Sequence, residues 1–449
     1  MLKFKSFLSE SNKFDALMEH PTLHNFLHHL SSSTIHPEED VLEEAHDIEH
    51  IQQQGRDNAP TGNLFQHLRK GFHDAFPENE KPEETHRKAK ESRAHFRKFM
   101  HERGGLAKNN STDISSQNGK TGLSTGEGVQ TIGVSLAPHK SSGYKHDLCP
   151  KASSECRKNC LGFTAGGNKQ YPEQSFRAKL LRTHYMAEHP EHYARLVSHE
   201  IGENEKWSAE HHFVTDKSGT VVGHQNKKSG KITSHINIKE KHPDGAPKSN
   251  DEKKTERESN VKSIQDGLEK GTHKTKEVKS GFRPNVTSDL PYEHLMPKKF
   301  FEKHSKTQFY DYTKVASRLK NKDLPHNYSL ALSHTGANHE ESNDHDVVHH
   351  LNNGGVVAMV HQKSKIKPTH VEDVQSGKRW KIVNGDEDDN VYDRHRQHGI
   401  KSGEGVVSGL KLKGVKNEDA GHFANKVDDD GVIRINHPKP RKTIPIKTE

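Results

Sequence analysis

The three cysteines of the chain lie within twelve residues, in the segment Leu148-Cys149-Pro-Lys-Ala-Ser-Ser-Glu-Cys156-Arg-Lys-Asn-Cys160. Thiolates this close in sequence can bind one zinc ion or one iron-sulfur cluster. The C-x6-C-x3-C spacing differs from a zinc ribbon and from a ferredoxin run. It predicts a shared metal site at Cys149, Cys156 and Cys160, holding either a [4Fe-4S] cluster with an open iron or zinc completed by a histidine such as His146.

A second set of candidates consists of polar residues at the ends of predicted strands. We expect five of them to face a substrate: Asn285, Asp289, Asp311, Lys314 and Asp386. In this interpretation Lys314 pairs with an anionic group, while Asp289 or Asp311 transfers a proton or binds a hydroxyl. Each Asp or Asn taken singly also fits a helix cap or a turn.

A glycine-rich turn, Gly162-Phe-Thr-Ala-Gly166-Gly167-Asn168, follows the cysteines. Backbone N–H groups at Gly166, Gly167 and Asn168 could bind the phosphate or carboxylate of a cofactor where the next helix starts. The turn lacks the G-x4-G-K-[ST] pattern of a P-loop, so a purely structural role is the alternative.

The segments that position these residues alternate between short β-branched runs and helical stretches. Strands are predicted at 129–137, 282–287, 308–312, 328–333, 356–360, 381–384 and 406–412, and helices at 175–201, 297–304, 313–319 and 344–351. This alternation predicts an α/β fold with a largely parallel sheet, built as a complete or partial (β/α) barrel of TIM type. Because parallel strands end at one common face, the candidates should meet there.

The rest of the chain divides by composition. Residues 1–104 predict a polar, helical N-terminal region, residues 105–127 a linker and residues 128–426 the α/β domain. A Lys- and His-rich insertion at about 202–280 is expected to be largely disordered between 240 and 279, because it has few bulky apolar residues. Residues 427–449 predict a basic tail.

Charge and hydropathy limit the classes of function. The 69 basic and 62 acidic residues are interleaved, which favours a solvated surface and leaves weak nucleic-acid binding as a possible partner interaction. There is no run of about 18 apolar residues that could span a bilayer. Few cysteines and no signal peptide predict a cytoplasmic protein without membrane contact.

Seven segments, in order between residues 118 and 426, resemble a phage-encoded family of unknown function. They are Leu136-Ala-Pro-His-Lys-Ser-Ser-Gly143, Cys149-Pro-Lys-Ala-Ser153 with Cys156 and Cys160, Thr287-Ser-Asp-Leu-Pro291, Gln308-Phe-Tyr-Asp-Tyr-Thr-Lys314, Leu324-Pro-His-Asn-Tyr-Ser-Leu330, Gly385-Asp-Glu387 and Gly409-Leu-Lys-Leu-Lys-Gly414. The resemblance implies a phage protein in the host cytoplasm. It assigns no particular activity, because none is established for the family.

The cysteine loop is also similar, at the level of fold, to radical S-adenosylmethionine enzymes. In that superfamily three cysteines after the first strand of a partial barrel hold a [4Fe-4S] cluster, whose open iron binds the cofactor. The spacing here departs from the superfamily's C-x3-C-x2-C, and Thr287-Ser-Asp-Leu-Pro291 stands where its glycine-rich motif would be.

These observations together predict an iron-sulfur or other metal-dependent enzyme whose substrate is unknown. The predicted cofactor is an iron-sulfur cluster, alone or with S-adenosylmethionine, and zinc is the alternative metal. A different class of function stays open at this point: a zinc-stabilised nucleic-acid-binding or host-takeover module without catalysis.

Overall fold

The structure is a computed structural model, and it describes residues 38–104, 113–116, 128–160, 172–238, 241–242, 246–337, 339–392, 394–401 and 403–436. Its helices are α1 Glu38–Asp57, α2 Leu64–Asp74, α3 Pro82–Glu102, α4 Ser154–Lys158, α5 Pro172–Glu188, α6 Pro190–Glu210, α7 Asn250–Glu269, α8 Tyr292–Leu295, α9 Lys298–Lys303, α10 Asp344–Asn352 and α11 Arg394–Gln397. Two short 3-10 helices cover Ala316–Lys320 and Gly421–Phe423.

Its strands form two sheets. They are β1 Ser115–Ser116, β2 Val129–Val134, β3 His211–Thr215, β4 Val221–Asn226, β5 Ile232–Ser234, β6 Lys274–Glu277, β7 Lys279–Arg283, β8 Thr307–Thr313, β9 Tyr328–Ser333, β10 Val356–His361, β11 His370–Asp373, β12 Arg379–Asn384, β13 Val406–Lys411 and β14 Val432–Ile435. In the described residues the large sheet has ten strands in the order β1-β2-β7-β8-β9-β10-β13-β12-β11-β14, and the small sheet has the order β5-β4-β3-β6.

Six neighbouring strands of the large sheet, from β2 through β7, β8, β9 and β10 to β13, are parallel and follow chain order. β12 is parallel to β13 at the far side, so seven strands end at one edge. The sheet stops at β1 and β14 in the part of the chain described. The predicted α/β fold with a largely parallel sheet is confirmed, whereas closure into a complete barrel is not shown.

Apolar residues in alternating strand positions form the face on which the helices pack. Phe282, Phe309 and Tyr328 are aligned across β7, β8 and β9, and the rings of the first two lie 5.7 Å apart. This ladder belongs to the same buried cluster as Phe72 of α2 and Phe96 of α3. The N-terminal helices and the parallel sheet therefore share one continuous core.

Local signals explain where the long helices begin. The predicted helix at 175–201 is divided into α5 and α6 at His189, because Pro190 occupies the first turn of α6 and cannot donate a backbone hydrogen bond. Pro82 begins α3 in the same way. Each of the seven predicted strand segments overlaps a strand of the large sheet.

The expectation of disorder between residues 240 and 279 is wrong for α7. A capping box joins Ser249 and Glu252 at its start, and its buried Ile264 and Gly267 pack where the helix meets the small sheet. The capping-box hydrogen bonds and the burial of Ile264 and Gly267 stabilise a helix whose other residues are almost all polar. β14 lies within the residues assigned to a tail and pairs in parallel with β11.

Candidate functional site

The cysteine loop begins directly after β2 and is fastened to the end of β7. The Thr287 hydroxyl donates to the carbonyl oxygen of Leu136 at 2.6 Å. The backbone N–H of Asp289 donates to the carbonyl oxygen of Leu148 at 2.8 Å. The loop therefore lies at the carboxyl edge of the sheet, next to the second parallel strand.

Cys149 is the best fixed of the three thiols. Its sulfur accepts the backbone N–H of His139 at 3.4 Å and lies 3.8 Å from the carbonyl oxygen of Thr287, to which the thiol can donate. Burial raises the pKa of Cys149 well above its ordinary value, the His139 N–H opposes the rise, and Cys160, Asp289 and Cys156 add to it. Cys156 and Cys160 are therefore near enough to Cys149 to disfavour its thiolate.

Cys156 and Cys160 are carried by α4 and the residue pair that follows it. Ser153 caps this short helix by accepting the N–H of Cys156, and Glu341 accepts both the N–H and the hydroxyl of Ser154 at 2.9 and 2.8 Å. Glu341 belongs to the loop after β9, so the start of α4 is attached to the loop that follows the fourth parallel strand.

The two flanking cysteines face different surroundings. Cys156 packs against a small apolar cluster that includes Leu412 and Phe423, while Cys160 packs against the main core. None of the three cysteines forms a disulfide, and each is half-buried. Within the described ranges, no set of three or more histidine, cysteine, aspartate or glutamate side chains is arranged to hold a metal ion. The shared metal site at Cys149, Cys156 and Cys160 stays a prediction.

Lys179 of α5 is a feature of this region that the sequence reasoning missed. It is 3% exposed, its ammonium group donates to the Ser175 hydroxyl at 2.9 Å, and burial lowers its pKa to about 7 while the Cys160 thiol opposes the shift. In the sequence, the burial of Lys179 is indicated by its position on the same helical face as Phe176 and Thr183.

Asp289 and Lys314 are brought together at the ends of β7 and β8. One Asp289 oxygen accepts the backbone N–H of Lys314 at 2.8 Å, and the other accepts from Arg318 at 2.5 Å. Arg318, which was not singled out from the sequence, also binds Glu293 through two hydrogen bonds of 2.7 and 2.8 Å. The Lys314 ammonium group donates to the Ser333 hydroxyl at 3.1 Å.

Asn285 and Asp311 are also in contact, but below the surface. The Asn285 amide donates to one carboxylate oxygen of Asp311. The Tyr328 hydroxyl lies 3.3 Å from that same oxygen. Asp311 is 0% exposed, and burial raises its pKa to about 7 against the opposing charges of Arg318 and Arg283. The Asp311 carboxyl can take up a proton near neutral pH. Because both side chains are buried, other residues lie between this pair and the surface.

Asp386 lies elsewhere on the edge, after β12. It accepts the backbone N–H of Lys411 at 2.9 Å and forms an ion pair of 2.8 Å with Lys413. These bonds join it to the end of β13 and not to the other four strand-end candidates. Gly166, Gly167 and Asn168 lie outside the described residues.

A buried Asp-His pair completes this edge between β9 and β10. His334 Nε2 lies 2.7 Å from Asp344, and its Nδ1 lies 3.2 Å from the Asn425 amide nitrogen. Because an amide nitrogen only donates, Nδ1 accepts and Nε2 carries the proton. The His334 ring is therefore neutral, in agreement with the lowering of its pKa by burial.

The sequence model of a family described as Gene product 88 matches residues 252–426, which is less than half of the chain. This part of the chain is similar to an uncharacterised family of phage gene products. The match contains all five strand-end candidates, from Asn285 to Asp386, whereas the three cysteines precede it.

No curated protein and no solved structure matches the chain. In the described residues, no helix has the length and apolar character required to cross a membrane.

Proposed function

We propose that the chain is a metal-dependent enzyme of phage type, in which Cys149, Cys156 and Cys160 hold one iron-sulfur cluster or zinc ion. The observation that carries the proposal is the place of the cysteine loop. It follows the first of six parallel strands that run in chain order, and it is hydrogen-bonded to the end of the second. In parallel α/β domains this edge is where catalytic groups collect.

The donor set fits a soft metal centre. Three thiols lie on one loop, Cys156 and Cys160 each disfavour the thiolate of Cys149, and a backbone N–H already points at the Cys149 sulfur. Since the thiols are not arranged around a common point, binding requires α4 to move towards Cys149. An iron-sulfur cluster would supply an electron at this edge, and zinc would supply a Lewis acid.

The neighbouring residues then have separate tasks. Arg318 holds the Asp289 carboxylate beside the cysteine loop, and Asp289 in turn fixes the backbone of Lys314. The Lys314 ammonium group, placed at the end of β8, is the group that would bind an anionic part of the substrate. Asp311 is the candidate for holding a proton, because its carboxyl can be neutral near pH 7.

A nucleic-acid-binding module with a structural zinc has weaker support. The proposal of a Lys-rich binding surface depended on the insertion, yet α7 within it carries six acidic against four basic residues. A phosphate-binding face needs an excess of positive charge.

The experiment is metal analysis of protein purified without oxygen, for wild type, each single Cys→Ser variant and the triple variant. Lys151→Ser is the matched control, because Lys151 is an exposed residue of the same loop. We expect stoichiometric iron with sulfide, or zinc, in wild type and control, and its loss in the triple variant. Metal-free wild type that is as stable as the triple variant would overturn the proposal. Cleavage of S-adenosylmethionine by the iron-loaded protein would assign the second reactant.

A further inference from the structure

The contact between α3 and α6 contains an unusual set of histidines, here called the histidine joint: His86, His95, His189, His192 and His199. The His95 ring stacks on that of His192, with centroids 4.5 Å apart and planes within 9°. The His189 ring meets His95 edge-on at 4.5 Å, and the His86 and His199 rings lie 6.1 Å apart. These three ring contacts each bring two imidazoles together.

Hydrogen bonds show which ring nitrogen is the donor in two of these rings. The Ser92 hydroxyl donates to the carbonyl oxygen of Lys88 at 2.8 Å, so it accepts from Nδ1 of His192 at 3.0 Å. The Tyr185 hydroxyl donates to the carbonyl oxygen of Ser92 at 3.2 Å, so it accepts from Nδ1 of His95 at 3.3 Å. In both rings Nδ1 therefore carries a proton, and Nε2 is the atom at which a second proton would bind.

Most of the carboxylates around the joint are already paired with basic groups. The groups that face it are Glu91, Arg93, Lys98 and Glu102 of α3, Arg103, Glu188 of α5, Glu191, Arg195 and Glu203 of α6, and Lys303 of α9. Of these five carboxylates, four form ion pairs: Glu188 with Arg103, Glu191 with Arg195, Glu91 with Arg87 and Glu102 with Lys98. Protonated imidazoles in contact would repel one another.

We propose that the histidine joint makes the attachment of α3 to α6 sensitive to acid, so that α3 is released when the imidazoles gain protons. The proposal concerns the N-terminal helices and does not depend on the metal site. Apolar contacts of Phe96, Phe99 and Met100 hold α3 at neutral pH, and they are the contacts that protonation would have to overcome. The joint thus provides a conformational switch within the shared core.

The direction of the pH effect follows from the sign of the shifts. Burial lowers the pKa values of His95, His192 and His199 below 6.5, and that of His189 to about 4. The unfolded or detached state therefore binds more protons than the closed state. The joint is fully stable above the ordinary histidine pKa and loses stability as the pH falls from there towards about 4.

The test is amide hydrogen exchange of the full chain at about pH 7.5 and about pH 5.5, with intrinsic exchange rates corrected for pH. We expect protection of residues 82–102 to fall by about tenfold or more at the lower pH, while β7 to β10 keep theirs. Unchanged protection of α3 would overturn the proposal.

Two variants make the test specific. In His95→Gln/His189→Gln/His192→Gln, the pH dependence of α3 exchange should fall strongly, because three of the four rings whose pKa burial lowers are gone. The control is His224→Gln/His235→Gln, since these two rings form a similar pair at the small sheet, with centroids 4.9 Å apart and a hydrogen bond of 2.7 Å between Nδ1 of His224 and Nε2 of His235. The control should keep the response of α3. Should the triple variant not fold, histidine titration of the wild type by NMR decides: the joint predicts values below 6.5, and ordinary values would contradict it.

Discussion

The backbone N–H of Asp289 donates to the carbonyl oxygen of Leu148, the residue that precedes Cys149, at 2.8 Å. This single bond joins the two halves of the candidate site: the cysteine loop, and the polar residues at the later strand ends. Asp289 is itself fixed by Arg318 and by the backbone of Lys314. Changes to this network should therefore affect both stability and the cysteine loop.

Replacing Arg318 by methionine should be strongly destabilising. Arg318 is 3% exposed and neutralises Glu293 and Asp289, so its loss leaves two buried carboxylates unpaired. We expect the free energy of unfolding to fall by about 3–5 kcal/mol in urea denaturation. Arg87→Met is the control, because Arg87 pairs with Glu84 on the exposed face of α3. Equal effects of the two substitutions would contradict a structural role for the Arg318 network.

Replacing Asp311 by asparagine should change the pH dependence of stability. Burial raises the pKa of Asp311 to about 7, so the folded state binds more protons than the unfolded state between the ordinary value of 3.8 and about 7. Wild type therefore loses stability from this group as the pH rises, and the variant does not. The stability of the variant relative to wild type should increase by roughly 1.4 kcal/mol per pH unit between about pH 5 and pH 7. A constant difference in urea denaturation across this range would exclude the effect.

Replacing Glu341 by alanine should loosen α4. The Glu341 carboxylate accepts two hydrogen bonds from Ser154, at the start of the helix that carries Cys156. We expect Cys156 and Cys160 to react several-fold faster with a thiol reagent, because a five-residue helix without this anchor opens easily. The neighbouring Glu340, which is exposed at a turn, gives the control Glu340→Ala. Identical rates for both variants would show that Glu341 does not anchor α4.

Replacing Gly336 by alanine should disturb the carboxyl edge. Gly336 has φ +107°, and a Cβ there would overlap the carbonyl oxygen of His422. Gly377 has φ +68° with no other atom within 4 Å of a Cβ, so Gly377→Ala carries only the conformational cost of roughly 1–2 kcal/mol. The melting temperature should fall further for Gly336→Ala than for Gly377→Ala, and the reverse order would be inconsistent with this packing.

The sequence predicted the sheet better than the site. Short β-branched runs located β9 at 328–333 to the residue, because period and turn residues are local signals. It could not show that β13 lies between β10 and β12, since strand order depends on contacts remote in sequence. α7 was missed for a different reason: its capping box is a local signal that the polar composition obscured.

For the candidate site, the sequence identified residues but not their neighbours. Asn285 and Asp311 were both named from their positions at strand ends, yet their contact depends on the register of β7 and β8. Arg318 resembles any other basic residue in the sequence, and only its burial against Glu293 and Asp289 distinguishes it. Asp386 fits the same strand-end pattern but lies beside β13, because the order of the last strands is inverted.

The central claim is that Cys149, Cys156 and Cys160 bind one metal centre together. The most direct measurement is alkylation of the anaerobically purified protein, with the number of modified cysteines per molecule counted by mass spectrometry before and after a chelator. A shared centre predicts molecules with all three thiols protected, converted by the chelator to molecules with all three modified. Three thiols that react independently, at rates that the chelator does not change, would contradict it.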